Sequence, residues 1–515
     1  MPDQTMHRPE QAQAQRWAQQ MGLESGQQIY PSSFIVKDGV TAFSGRQGSQ
    51  RSLYLVWKGT SPAWVEKFEG TTAEIKLDDQ VMTSKRCPAN AANAAALRQA
   101  FPFTRPSLVG LKKSFGCGDR LGLATPGHIL AVKDRPIMPI LAQQSIREMT
   151  RTQRSAQQVI DDASWAVFQA GFDLPFGSDA DHLKNIADID VCAKAGFLLF
   201  TLDPGDHVDD HADTDSPETI KSKFDALPWT ALETSADELF KRYEKTHDLE
   251  KSPLTISHEN ILRAAVKYAK AIAHVTTLYR HLLATRGEGN FELEISVDET
   301  ASPTTPQEHF YVASELKRLG VRWVSLAPRF IGTFEKGVDY IGDLDRFKQE
   351  YDLHARISRV LGPYKISIHS GSDKFSIYPI IAQCSGDLIH VKTAGTSYLE
   401  AVRVLAKHSP ELFREILDFA RERYPEDKAS YHVSADVNKV ASSKDLSDAQ
   451  LPQLLDEFDA REVLHVTFGS VLTSTDAAGN LRFRDRFMSA LIEHEQAYHQ
   501  GIKVHFDKHM APFSR

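Results

Sequence analysis

From Lys112 onward, short runs of alternating apolar and polar residues take turns with longer helical patterns. Strands that alternate with helices are typical of a parallel sheet, and eight such strands can close into a barrel. Nine runs read as strands: 113–118, 165–170, 197–203, 291–298, 322–327, 364–370, 388–392, 431–435 and 464–468. The sequence therefore predicts an α/β fold, a (β/α)8 TIM-like barrel over residues 111–515, with one of the nine candidates outside it.

The chain before the barrel shows a different pattern. Short alternating segments at 33–36, 41–44, 52–57, 64–69 and 73–77 are separated by Gly, Asp and Pro, and an Ala-rich helical stretch follows at 91–100. This pattern predicts an antiparallel, β-rich cap over residues 29–110, preceded by an N-terminal arm over residues 1–28. A long insertion, acidic in its first part, is expected at about residues 204–257.

Composition narrows the class of protein. The chain has 515 residues, of which 41% are hydrophobic and 25% charged, which suits a globular protein with a large core. The net charge of −8 argues against a nucleic-acid partner. No apolar run approaches the roughly twenty residues that span a bilayer. Four scattered cysteines and the lack of a signal peptide predict a cytoplasmic protein with reduced thiols. A small-molecule substrate and a possible homo-oligomeric state are also expected.

Two predicted strands end in polar groups. In the strand 365–369, Ile366 and Ile368 alternate with residues that include His369, and in the strand 388–392 apolar residues alternate with His390 and Lys392. The carboxyl ends of barrel strands are where such enzymes place their chemistry. Gly-containing turns follow both strands, and the amides of residues 395–397 would face an anion at a helix N-terminus.

Two further stretches carry candidate chemistry. Residues 112–128 are rich in Gly, but Leu121 stands where a dinucleotide fingerprint needs its third Gly, so the stretch is either a polar loop at the barrel mouth or a solvated turn. Residues 291–300 place several acids on the inward face of one strand, which is costly unless they have a function. Either Asp298 or Glu299 is expected to do chemistry there.

Four motifs together resemble a known family. In chain order they read KSFGCGDRLGLATPGH, SVDET, IHSGSDKF and HVKTAGTSYLEA, and the likeness covers about residues 110–500. They resemble the tagaturonate/fructuronate epimerase family of bacterial hexuronate catabolism. The resemblance implies a metal-dependent barrel isomerase that interconverts D-tagaturonate and D-fructuronate. The alternatives are a metal-dependent fructose/tagatose 4-epimerase, a sugar or sugar-phosphate aldolase or isomerase, and a sugar-binding barrel without activity.

The implied reaction suggests a mechanism. The two uronates differ at a carbinol carbon β to the ketone, so its hydrogen is not acidified by the carbonyl, and no nicotinamide motif supports an oxidation. A retro-aldol and aldol sequence assisted by a divalent metal fits better. Asp119 and Glu299 are expected to act as acid and base from opposite sides of the barrel mouth.

The metal and substrate ligands complete the hypothesis. His128, His369 and His390 are expected to hold the metal, with Asp298 or Glu299 as the alternative to His128. Zn²⁺ is the expected ion, and Mn²⁺, Ni²⁺ or Co²⁺ are the alternatives. The expected substrate-binding residues are Arg120, Asp298, Asp373, Lys374 and Lys392, of which Arg120 and the two lysines would hold the substrate carboxylate.

Overall fold

The computed structural model describes residues 6–514, so residues 1–5 of the predicted arm and Arg515 lie outside it. Its centre is a closed barrel in which every neighbouring pair of strands is parallel. The barrel strands are β1 (Ser114–Cys117), β2 (Met138–Ser145), β3 (Gly177–Leu183), β4 (Leu199–Leu202), β5 (Glu292–Val297), β6 (Ser325–Pro328), β7 (Lys365–Ile368) and β8 (Ile389–Thr393). The predicted fold class is confirmed.

Helices cover the outside of the barrel and extend beyond β8. They are Thr125–Val132, Ile146–Thr152, Ala156–Ala170, Ile186–Ala195, His258–Arg286, Pro306–Arg318, Leu344–Leu361, Tyr378–Ser385, Thr396–His408, Pro410–Asp427, Phe458–Val466, Phe468–Thr473, Arg484–Glu493 and Glu495–Met510. The long insertion lies between β4 and β5, as predicted. It contains the helices Pro217–Asp225 and Ala236–Tyr243 and the hairpin Thr246–Leu249 with Ser252–Thr255.

The N-terminal part of the chain forms an antiparallel sheet, as the sequence predicted. Its strands are Met6–His7, Gln28–Ile29, Ile35–Lys37, Val40–Gln47, Gln50–Trp57, Thr71–Leu77 and Gln80–Pro88, flanked by the helices Gln11–Ser25 and Ala91–Ala100. The predicted strand at 64–69 is wrong, because Val65–Lys67 forms a 3₁₀ turn. The strand Gln80–Pro88 was missed, since few of its residues are apolar.

Six of the nine predicted barrel strands are confirmed, and three are wrong. The run 165–170 is apolar because it is the core-facing end of the helix Ala156–Ala170. The run 464–468 is helical, and 431–435 contains no strand. The true strands β2 and β3 were missed, because β2 contains a Pro and two Gln and β3 reads GSDADHL.

The turn after β2 positions charged groups at the barrel mouth. Ser145 ends β2 and caps the helix Ile146–Thr152: its hydroxyl accepts a hydrogen bond from the Glu148 amide at 3.1 Å, and the Glu148 carboxylate accepts one from the Ser145 amide. This reciprocal capping fixes the first helical turn, so Arg147 and Glu148 project from the end of a barrel strand.

Two predictions about the class of protein can be compared with the structure. All four cysteines are free, three of them buried, as the sequence predicted. Among residues 6–514, no helix combines the length and the apolar character that crossing a membrane requires.

Candidate active site

A cavity of about 330 Å³ opens at the carboxyl ends of the barrel strands. This is the face where barrel enzymes carry out their chemistry. Acids, histidines and cations contributed by most of the strands line it: Arg120, Gln143, Ser145, Arg147, Glu148, Asp181, His182, Asp298, Glu299, Arg329, Lys336, His369, Ser370, Lys392, Tyr431 and His432.

The floor of the cavity is a buried charge network around Lys392. Its ammonium lies 2.8 Å from Asp179 and 2.7 Å from both Asp181 and Glu294, and it donates to Thr201. Burial opposes the charge, but the three carboxylates raise the pKa of Lys392 well above its ordinary value. Three carboxylates already surround this ammonium, and the role of Lys392 in holding a substrate carboxylate stays a prediction.

His182 lies near the end of β3 and lines the cavity, and a carboxylate holds one of its two ring nitrogens. Its backbone has a positive φ of 53°, which is uncommon for a residue with a side chain. Nδ1 lies 3.1 Å from Asp203 Oδ2, and Nε2 lies 3.9 Å from Asp181 Oδ1. A carboxylate on one imidazole nitrogen is the usual way to orient the other nitrogen toward a metal.

His369 shows the same division of roles. Nε2 lies 2.7 Å from Glu294 Oε1, whereas the buried Nδ1 makes no hydrogen bond although Asp298 Oδ1 is only 3.0 Å away. His369 Nδ1 and Asp298 Oδ1 are thus an imidazole nitrogen and a carboxylate oxygen that together could hold a divalent cation.

The two imidazoles converge. The rings of His182 and His369 are 5.0 Å apart, and ligand atoms of Asp181, His182 and His369 lie within 4.8 Å of one another. Imidazole nitrogens mixed with carboxylate oxygens are ligands that Zn²⁺ and Mn²⁺ accept. The residues present therefore fit a divalent cation.

The pKa values of the two histidines also fit a site for a divalent cation. Burial opposes protonation of both imidazoles, but the surrounding acids raise the pKa of His182 to about 10 and that of His369 to about 9. An excess of carboxylates thus attracts two protons into the site. A divalent cation would neutralise the same acids while displacing those protons.

Several cations also line the cavity. Arg120 donates to Glu148 at 2.8 Å and stacks 3.7 Å from the centre of the Phe468 ring, while its buried Nη1 has no hydrogen-bond partner. Arg147 pairs with Glu299 at 2.6 Å. Burial lowers the pKa of Lys336, although Glu299 and Asp298 oppose the shift. The cavity therefore contains cationic as well as acidic groups.

Half of the sequence-predicted site residues meet in this cavity, and half do not. Those that line it are Arg120, Asp298, Glu299, His369 and Lys392. Those that lie elsewhere are Asp119, His128, Asp373, Lys374 and His390.

Asp119 is a structural acid rather than a group at the barrel mouth. Its carboxylate accepts hydrogen bonds from five consecutive backbone amides, those of residues 121–125, at 2.8–3.3 Å. It thereby closes the loop that leads into the helix Thr125–Val132. Because both oxygens are occupied and neither faces the cavity, the structure does not place Asp119 opposite Glu299 as predicted.

The predicted three-histidine set is not assembled. His128 lies in the helix Thr125–Val132, where its Nε2 is 2.7 Å from the Ser397 hydroxyl and its ring contacts Phe506. His390 lies deep in the barrel interior, with Nδ1 3.0 Å from the Ser114 hydroxyl, and burial lowers its pKa to about 3. Alternation placed His390 correctly on a barrel strand, but of the three histidines only His369 lines the cavity.

Asp373 and Lys374 hold the loop after β7 in place. The Lys374 ammonium donates to the backbone carbonyls of Glu335 at 2.7 Å and Ser372 at 2.9 Å, and also to that of Val338. Asp373 bonds to the C-terminal helix through His505. Both side chains point away from the cavity, so neither is placed to bind a substrate there.

The sequence reasoning missed several residues that line the cavity. Asp181 and His182 went unnoticed because β3 was not predicted, although the D-A-D-H run after Ser178 was the signal that could have found them. Lys336 and Arg147 lie in loops and first turns, where alternation gives no information. Asp203, the residue that follows β4, bonds to His182.

A closed (β/α)8 barrel with a polar cavity at the carboxyl ends of its strands defines the class: an enzyme that acts on a small polar molecule. Comparisons with known proteins make the class specific. A family model described as tagaturonate epimerase matches residues 30–513. The tagaturonate/fructuronate epimerase of Thermotoga maritima is 40% identical over 485 residues, which are 94% of this chain and 96% of that protein.

Solved structures agree. The native crystal structure of the fructuronate-tagaturonate epimerase of Cohnella laeviribosi is 37% identical, with a TM-score of 0.89 over 97% of this chain and 99% of that one. A glycerol complex of that enzyme gives a TM-score of 0.88 over 95% of this chain and 97% of that one. The chain belongs to the tagaturonate epimerase family and is an epimerase, a member of the isomerases.

Proposed function

We propose that this protein interconverts D-tagaturonate and D-fructuronate in its barrel-mouth cavity with the help of a divalent metal. The observation that carries the proposal is the polarity of that cavity in a member of this family. The cavity offers imidazoles and carboxylates to a cation, and it offers the unpartnered guanidinium nitrogen of Arg120 to an anion. A ketose that carries a carboxylate has matching groups, with ketone and hydroxyl oxygens for the cation and a negative charge for the guanidinium.

The metal ligands are revised from the sequence hypothesis. His182 Nε2 and His369 Nδ1, with Asp298 and Asp181 as carboxylate partners, would hold the ion, and zinc remains the first expectation. When bound, it would withdraw electron density from the ketone and its neighbouring hydroxyl, which makes the adjacent carbon–carbon bond easier to break and to remake. Asp203 and Glu294 hold the second nitrogen of each imidazole and so fix both rings.

Inversion through a retro-aldol and aldol sequence also needs groups that move a proton at the inverted carbinol oxygen. Glu299 retains this role from the sequence hypothesis, because it lines the cavity and its partner Arg147 holds it at the strand end. Lys336 replaces Asp119 as the second proton-transfer group. It lines the same cavity, and burial lowers the pKa of its ammonium.

Arg120 is the group proposed to hold the substrate carboxylate. Glu148 and the Phe468 ring fix its guanidinium, which leaves Nη1 free to donate. Charge-assisted bonds from a preorganised guanidinium favour a uronate over a neutral ketohexose. This is the feature that favours the uronate reading over a fructose/tagatose epimerase.

The test is an NMR assay of the full-length protein with tagaturonate and with fructose, each before chelation, after chelation and after metal is restored. We expect fructuronate to form from tagaturonate, with loss of activity on chelation and recovery with added metal. Glu299→Gln should retain bound metal, measured by elemental analysis, and lose turnover by about 10²-fold or more. Faster conversion of fructose, accumulation of three-carbon products, or full activity in a verified metal-free sample would each contradict the proposal.

A further inference from the structure

A second cavity lies between the N-terminal sheet and the barrel, away from the active site. Its volume is about 1070 Å³, and it shares no lining residue with the barrel-mouth cavity. The strands Val40–Gln47, Gln50–Trp57 and Gln80–Pro88 form one side of it. The loop 121–123 and the helices Ala156–Ala170 and Arg484–Glu493 form the other.

Arg46 brings a charge into this cleft without a close partner. Only 4% of the residue is exposed, and its Nε makes no hydrogen bond. The acid that approaches it, Glu495, is 3.9 Å from Nη2 and already accepts a hydrogen bond from the Tyr30 hydroxyl at 2.9 Å. Buried guanidinium groups are normally paired, because an unpaired charge is costly to desolvate.

Arg51 is the second unmatched cation. Its Nε is buried without a partner, and over residues 6–514 its guanidinium makes no hydrogen bond or ion pair. Burial and the nearby charge of Arg46 lower the pKa of Arg51 to about 10. Arg86 adds a third guanidinium to the lining, and its Nε donates to the Ser52 hydroxyl at 3.2 Å.

The acids of the cleft do not balance these arginines. Asp162 pairs with Arg154 at 2.6 Å, and its charge, like that of Glu495, only partly opposes the lowering of the pKa of Arg51. Asp485 lies on the exposed rim. The cleft is thus a concentration of positive charge in a protein whose net charge is −8.

We propose that this cleft binds a small dianionic metabolite, a phosphate monoester or a dicarboxylate, between the guanidinium groups of Arg46 and Arg51, with Arg86 at its side. Guanidinium forks match the geometry of phosphate and carboxylate oxygens, and two of them side by side match two negative charges. The volume leaves room for the rest of a metabolite beyond the anionic group.

The test measures binding and thermal unfolding of the full-length protein with inorganic phosphate, methyl phosphate and malonate, each against chloride at equal ionic strength. A ligand that binds the folded state raises Tm in a saturable way. We expect at least one of the three dianions to do so, and the dianion that binds most tightly identifies the class. Saturation by none of them up to 20 mM, a concentration on the order of that at which weak sites fill, would overturn the proposal.

Variants separate a binding site from a structural one. Arg51→Gln should weaken dianion binding by about tenfold or more, because charge-assisted hydrogen bonds are lost. It should also raise Tm without ligand, since a like-charge contact with Arg46 is removed. Arg51→Lys keeps the charge without the fork and should bind with intermediate affinity. A drop in ligand-free Tm with dianion binding intact in Arg51→Gln would overturn the proposal.

Two control variants test where the dianion binds. Arg16 is exposed and also lacks an ion pair in the described chain, so Arg16→Gln makes the same charge change outside the cleft and should respond to dianions like the wild type. Arg120→Gln removes the guanidinium proposed to hold an anion in the active site and should keep the dianion response. If Arg120→Gln abolished it, the dianion would be binding at the barrel mouth and the proposal would fail.

Discussion

Two clusters of aspartate and histidine have similar composition and differ in what their nitrogens do. Asp181, His182 and His369 meet at the barrel mouth, and Asp373, His505 and His509 meet beside the C-terminal helix. Each set brings its possible ligand atoms within 4.8 Å of one another. Residue types and distances alone would therefore give both the same metal-binding reading.

The hydrogen bonds separate them. In the second cluster the Asp373 amide donates to His509 Nε2 at 2.9 Å, and His509 Nδ1 lies 3.0 Å from the His505 carbonyl oxygen. Arg461 lies 3.0 Å from one Asp373 oxygen, and His505 bonds the other. Both nitrogens of His509 are thus committed to backbone groups, so this cluster fastens the loop after β7 to the C-terminal helix.

In the first cluster each imidazole has one nitrogen held by Asp203 or Glu294, and its other nitrogen faces a carboxylate that lines the cavity. Ring nitrogens that face a cavity rather than backbone groups distinguish a candidate site from a structural contact. The loop after β7 takes part in both clusters, because it begins with His369 and contains Asp373. His369 belongs to the first cluster at the barrel mouth, and Asp373 joins the loop to the C-terminal helix in the second.

The largest expected contrast comes from removing one histidine of each cluster. His369→Ala should lose the bound metal and reduce turnover on the order of 10³-fold, because a ligand and its fixed charge are removed. His509→Gln should keep full metal content, since His509 contributes no free nitrogen. Elemental analysis and the NMR assay measure both quantities. Equal metal loss in the two variants would remove the distinction drawn between the clusters.

A smaller effect is expected at the carboxylate behind His182. Asp203→Asn keeps the shape of the side chain but weakens its hold on Nδ1, and such outer partners typically contribute about 10- to 100-fold to metal affinity. A competition titration against a chelator gives the affinity directly. The contact at issue is the 3.1 Å distance between Asp203 and His182 Nδ1. If Asp203→Asn bound metal as tightly as the wild type, this contact would not be what orients His182 toward the metal.

Sequence patterns predicted the barrel more fully than its site. Six strands were predicted because their apolar residues alternate, and β3 was missed because its inward-facing residues are the polar site itself. The reasoning that made Asp119 catalytic was sound for an acid at a strand end. It could not show that five backbone amides would surround that carboxylate.

The same limit applies to the histidines. Alternation placed His369 and His390 on the inner face of neighbouring strands, which is correct. Depth along the barrel axis is set by where each strand ends, however, and His390 pairs with Ser367, two residues before His369. A residue's height in the barrel decides whether it meets a substrate, and no local pattern records that height.

The second cluster should matter for stability more than for catalysis. Asp373→Asn removes the charge that faces Arg461, and an unpaired buried charge costs about 3 kcal/mol in the free energy of unfolding. Urea denaturation should show this loss, while turnover at 25 °C should fall by less than about tenfold, since no group in the cavity is changed. A fall in turnover as large as that of His369→Ala, without a matching loss of stability, would show that Asp373 acts in the chemistry.

The last expected effect is a pH dependence of the free energy of unfolding that comes from His509 in the second cluster. Burial, with a contribution from the charge of His505, lowers the pKa of His509 from its ordinary 6.5 to about 4, against the opposing effect of Asp373. Between these values the unfolded chain binds a proton at this residue that the folded chain does not. The free energy of unfolding is therefore fully retained above pH 6.5 and falls as the pH drops toward 4, by up to about 3 kcal/mol from this residue.

His509→Gln isolates that contribution. The glutamine amide oxygen can still accept from the Asp373 amide but cannot titrate, so the slope of stability against pH should lose about one proton over this window. Urea denaturation at half-unit steps of pH measures the slope. Other buried histidines, such as His128 and His354, titrate in the same window and should leave a residual slope in the variant. An unchanged slope in His509→Gln would mean that His509 is protonated in the folded protein, and the hydrogen bond from the Asp373 amide to its Nε2 would then have to be reassigned.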